Sequence, residues 1–126
     1  MFFASDNAGP VHPKVMERVI AANSDYAMPY GKDPIMDEVR AQIREQFEAP
    51  EAEVYLVATG TAANALALAC YTQPWQTIFC SKVAHIEEDE CNAPEFYAGA
   101  AKLTLVETED KMTPEALRRA IVARVA

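Results

Sequence analysis

Residues 54–69, VYLVATGTAANALALA, decide how the rest of the chain is read. Val54 to Ala58 is a β-prone run too short for a helix, and the Thr59-Gly60-Thr61 break that ends it leads into the alanine-rich apolar stretch TAANALALACY. The pattern predicts a buried strand over 54–58, a turn, and a helix packed closely against a sheet. Small residues throughout the first turn of such a helix have an electrostatic consequence. The leading N–H groups of a helix have no partners within it, and its dipole adds roughly half a positive charge there. An anion such as phosphate can therefore be held without any Lys or Arg. Gly60 admits a ligand close to the backbone, while Thr59 and Thr61 bring hydroxyl donors. Taken by itself, Thr59 is equally an ordinary N-cap and Gly60 a turn residue. No Gly-Lys-Ser/Thr follows and no GxGxxG is present, which excludes the Walker loop and the dinucleotide fingerprint.

Outward from this segment, helices and strands alternate. Pro13 suits a first helical turn, and Val15, Val19 and Ile20 recur at helical spacing, which predicts a helix over 13–23 with Lys14, Glu17 and Arg18 facing solvent. Pro29, Gly31 and Pro34 punctuate a loop that Asp33 closes as the cap of a second helix, PIMDEVRAQIREQF, with Ile35, Val39, Ile43 and Phe47 on one face. Residues 77–80 and 102–106 are two further candidate strands. After the second, Thr113 caps a helix that Pro114 begins. The order specifies an α/β layer with a mostly parallel sheet and right-handed crossovers.

Composition narrows the partners. A formal net charge of −8 over 126 residues argues against nucleic acid and anionic membrane surfaces, both of which need a basic face, and leaves a small molecule as the expected ligand. The opening MFFASDNAGP has no basic segment followed by an apolar one, and no apolar stretch approaches the ~20 residues that span a bilayer. Cys70, Cys80 and Cys91 are odd in number and lie at no CxxC spacing, as expected of reduced thiols in a cytoplasmic protein. The acidic run Glu87, Glu88, Asp89, Glu90 reads as a solvated helical face rather than a hard-cation site, because adjacent carboxylates on a helical turn point apart; no metal is expected.

Four blocks, SDNAGPVHPKV (5–15), YGKDPIMDEV (30–39), ATGTAANALAL (58–68) and AHIEEDE (84–90), resemble in order the successive N-terminal blocks of the threonine aldolase family. That family lies within the aspartate-aminotransferase-like group of pyridoxal-phosphate (PLP) enzymes. The resemblance runs through nearly the whole chain and covers the family's first part. It implies a partial PLP-transferase-like large domain over 1–126, with the rest of that domain and the small domain outside this chain. It also implies a homo-oligomer, dimer or tetramer, when intact. By the resemblance, Thr59, Gly60, Thr61 and Asn64 cradle the cofactor phosphate. His85 stacks on the pyridine ring and is a candidate for proton transfer. Ser5, followed by Asp6, matches a serine that helps to hold the substrate carboxylate, and Tyr30 with Gly31 matches a loop at the active-site entrance. Glu90 matches a family glutamate, whereas Asp89 stands where many members have an aromatic residue, a departure that argues against naming threonine as the substrate.

The implied reaction is retro-aldol cleavage of a β-hydroxy-α-amino acid to glycine and an aldehyde. Such chemistry requires a Schiff-base lysine. None of Lys14, Lys32, Lys82, Lys102 and Lys111 lies in a segment like that motif, so all five read as surface charge and the catalytic lysine is expected outside this chain. The fragment alone is therefore expected to be inactive. Two other readings stay open on the residues alone: β-elimination or transamination on the same fold, and a non-catalytic α/β module that keeps only the phosphate cradle.

Overall fold

The structure is a computed structural model and describes residues 8–108 and 110–125. The chain groups into two compact units, Met1–Val54 and Tyr55–Ala126.

Among its described residues the first unit holds two helices, α1 (Pro13–Ala22) and α2 (Pro34–Gln46), each opened by a proline. The His12 ring caps α1 by accepting from the Lys14 amide at 3.2 Å. Asp33 caps α2, as its sequence predicts, accepting from the Met36 amide at 2.9 Å, a contact typically worth about 1 kcal/mol. The expected apolar faces are less covered than their spacing suggests. Val15, Val19 and Ile20 on α1 are exposed, as are Ile35 on α2 and Phe47 just past its end, while Val39 and Ile43 are half-buried. Helical spacing places these side chains on one side but does not supply a surface to cover them.

The second unit runs α3 (Gly60–Tyr71), β1 (Thr77–Ser81), α4 (His85–Glu88), α5 (Ala93–Tyr97), β2 (Lys102–Val106) and α6 (Pro114–Val125). Its two strands pair in parallel, with Thr77 opposite Lys102 and Cys80 opposite Leu105, and the two short helices form the crossover that parallel strands require. Alternation along β1 turns Ile78 and Cys80 inward. They meet Ala98, Ala101 and Leu103 to form the core, flanked by Leu68, Ala84 and Ile86. Ala98 and Ala101, in the link between α5 and β2, are small enough to be fully enclosed in this core. α6 leans on β2 and is capped by Thr113, whose hydroxyl accepts from the Ala116 amide at 3.2 Å.

Two expectations need correction. Residues 54–58 form no strand: Tyr55, Leu56 and Val57 are exposed, and no ladder partner pairs with them among the described residues. β-propensity favours an extended backbone, but a strand exists only where a second one satisfies its amides and carbonyls. Likewise α3 does not lie flat on the sheet. It packs chiefly against α5, and Ala65 is its one fully buried residue.

Candidate active site

The amino end of α3 is built as the sequence predicts. Thr59 sits at the N-cap with an extended backbone, and its hydroxyl oxygen accepts from the Ala62 amide at 3.1 Å. The next amide, Ala63, bonds the Thr59 carbonyl at 3.2 Å. The Gly60 and Thr61 amides precede the first bonded turn and have no acceptor among the described residues. A methyl group built on Gly60 meets nothing within 4 Å, so the space beside this backbone is open. Gly60 does not occupy a left-handed conformation, and the fold therefore does not require glycine here.

The second part of the site lies at the start of α4. His85 is the first residue of that helix, and its side chain remains 63% exposed. Nδ1 of His85 lies 2.8 Å from Oε1 of Glu90, a carboxylate whose side chain is completely buried. The same oxygen takes the Asn64 side-chain amide at 2.6 Å, across 26 positions of sequence. Only an amide nitrogen can donate to a carboxylate oxygen, which fixes the orientation of Asn64. Since Oε1 accepts from Asn64, His85 is read as the donor in the second contact, with its proton on Nδ1. The second oxygen of Glu90, Oε2, is buried without a partner among the described residues.

Glu90 thus joins α3 to the imidazole, and it corrects the reading of residues 87–90 as one solvated face. Glu88 and Asp89 are exposed and Glu87 half-buried, but Glu90 is only 2% exposed. The cause is the backbone. Asp89 ends α4, and Cys91 and Asn92 both adopt left-handed conformations at φ 49° and 60°, which turns the chain into α5 and Glu90 inward. Sequence reasoning matched Glu90 to a family glutamate by resemblance but gave it no role in the site. A signal was present in Asn64, the one strongly polar side chain inside an otherwise apolar helix, since such a group needs a buried partner.

The remaining candidates divide. Tyr30 and Gly31 belong to the first unit and form a corner with φ 62° and 67°, both left-handed. Arg40 anchors that corner by donating from Nη1 to the Gly31 carbonyl at 2.9 Å, and Tyr30 projects almost fully into solvent. A bulky residue held at positive φ marks a locally constrained site. Ser5 and Asp6 lie outside the described residues. All five lysines are exposed. The cysteines are free; Cys70 and Cys91 are exposed, while Cys80 is buried and its thiol is pushed above the ordinary range by desolvation, then by the charges of Glu87 and Glu95.

The sequence model of the beta-eliminating lyase family matches residues 3–126, and the chain belongs to that family. It is similar to the low specificity L-threonine aldolase of Pseudomonas aeruginosa, 40% identical over 117 residues, which are 92% of this chain and 34% of that protein. A second low specificity L-threonine aldolase, from Pseudomonas sp., is 37% identical over 97% of this chain and 35% of its own length. The solved threonine aldolase of Leishmania major superposes with a TM-score of 0.83 at 24% identity, over 92% of this chain and 34% of that one, and so shares the fold. The chain spans about a third of the length of these relatives.

Proposed function

We propose that the protein to which this chain belongs is a PLP-dependent lyase that cleaves a β-hydroxy-α-amino acid to glycine and an aldehyde. One observation carries the reading. A single buried carboxylate, Glu90, ties the helix with the open amino end to an exposed imidazole, in a chain 37–40% identical to proteins named L-threonine aldolases.

The residues fit the cofactor. The free amides of Gly60 and Thr61, beside open space and at the positive end of α3, suit a phosphate, and the Thr59 and Thr61 hydroxyls can add donors. Asn64 spends one N–H on Glu90 and keeps the other, so its first duty is to hold Glu90 in place. The exposed face of His85 suits stacking on the pyridine ring, and its Nε2, an acceptor when Nδ1 carries the proton, suits removal of the substrate's hydroxyl proton. When bound, PLP supplies the electron sink for the pair left on Cα as the Cα–Cβ bond breaks. Ser5 and Tyr30 are assigned to the substrate, at its carboxylate and at the entrance. Free cysteines support a cytoplasmic setting, and among the described residues no helix is long and apolar enough to cross a membrane. A homo-oligomer follows from the family resemblance.

The test is direct. The full-length protein is loaded with PLP and incubated with a panel of β-hydroxy-α-amino acids, and glycine and aldehyde are measured together. Equimolar release of the two is expected. Release of a keto acid instead, or no turnover of any member by a cofactor-loaded protein, refutes the lyase reading.

A further inference from the structure

We infer that Glu90 is a positioning residue: by accepting from His85 Nδ1 it fixes the tautomer and ring plane of the imidazole, and through Asn64 it sets that ring relative to the phosphate-binding end of α3. The inference rests on the proposed function for its catalytic consequence but not for its geometry.

Two features of the site require such a tether. His85 opens a helix of only four residues, and its side chain is 63% exposed, so packing alone does not hold the ring. An exposed imidazole without a partner samples two tautomers and a wide range of χ2, and each departure misaligns whatever it stacks on or takes a proton from. The Glu90 carboxylate removes this freedom because it is itself immobile. It is completely buried, 2.8 Å from Nδ1 and 2.6 Å from the Asn64 amide, and the left-handed pair Cys91–Asn92 directs it inward. With the proton held on Nδ1, the neutral ring presents a lone pair at Nε2. A proton leaving the substrate hydroxyl then goes to Nε2, and the imidazolium that forms is flanked by the carboxylate. Asn64 lies one turn into α3, so the helix that offers its amides to phosphate and the ring are referenced to one oxygen atom. Misplacement on the order of 1 Å costs roughly a hundredfold in rate at such a site.

The test uses the full-length protein with ¹⁵N-labelled histidine. In the wild type, the His85 nitrogens should report a proton on Nδ1. Glu90→Met, which keeps length but removes the acceptor, should lose that signature and lower kcat roughly 10- to 100-fold, with a smaller change in KM. Glu90→Gln, which keeps an acceptor oxygen, should restore the Nδ1 signature and recover the greater part of the loss. In a His85→Phe background, which keeps an aromatic ring but no Nδ1, Glu90→Met should cost no further rate beyond about twofold. A wild-type His85 protonated on Nε2 alone overturns the inference without recourse to any variant, and so does an equal rate loss from Glu90→Met with and without His85. Should the wild-type protein bind no PLP, the proposed function falls on that result; the nitrogen spectra of wild type and Glu90→Met still decide the tether.

Discussion

Gly60→Ala should separate folding from cofactor binding, with opposite signs. The added Cβ meets no atom within 4 Å and the backbone is not left-handed, so the folded state accepts alanine without strain. Replacing glycine in a helix stabilises by up to about 1 kcal/mol, chiefly by restricting the unfolded chain, and a first-turn position should realise about half of that. The same methyl group stands in the open space beside the Gly60 and Thr61 amides. If it displaces phosphate from one of them, the loss is one charge-assisted hydrogen bond, about 1.5–3 kcal/mol, or roughly a 10- to 100-fold weaker cofactor. The measurements are the urea midpoint of the cofactor-free full-length protein and a PLP titration followed by absorbance, with inorganic phosphate as competitor. The expected result is a midpoint equal to or above wild type together with a raised Kd. An unchanged Kd in a folded variant would return Gly60 to an ordinary turn residue, and a collapsed midpoint would show that the fold needs glycine after all.

Gly99→Ala should behave differently, because Gly99 has φ 69° and a methyl group there would come within 2.8 Å of the Pro74 ring. Left-handed strain and the clash together should cost about 2–3 kcal/mol, read as a lowered urea midpoint; an unchanged midpoint would refute it. Cys80 should alkylate more slowly than Cys70 and Cys91 near neutral pH, since burial raises its thiol and keeps the thiolate scarce. Its rate should rise as pH climbs and the thiolate forms. Peptide mapping after maleimide labelling would count against this if Cys80 were modified as fast as the other two.

Elements with their own local chemistry were legible from sequence. Asp33 and Thr113 cap helices because their side chains satisfy amides three residues on, and Pro34 and Pro114 begin those helices because a fixed φ and a missing N–H cost nothing there. The candidate strands at 77–80 and 102–106 were read from the same β-propensity as 54–58 and formed because each finds the other as its ladder partner. Residues 54–58 misled because the sequence displays propensity but not pairing. Helices α4 and α5, at four and five residues, are shorter than the window in which a 3.6-residue period can be recognised. At the site, the cap and open amides of α3 follow from local rules, whereas Glu90 does not. Its burial depends on a contact with Asn64, 26 residues away, and composition cannot distinguish it from the three acids before it.

The step from His85 to Glu90 behaves as a ruler. Because Cys91 and Asn92 bend the chain directly after Glu90, the reach of the carboxylate back to the ring depends on five residues of spacing, and the identities of Glu88 and Asp89 in between matter little to it. Over generations such a segment should accept many exchanges at those two exposed positions and almost no insertions or deletions. Asp89, exposed at the end of α4, can be exchanged without moving the carboxylate, whereas the loss of one residue would turn the carboxylate away from the imidazole without touching either of the two polar groups.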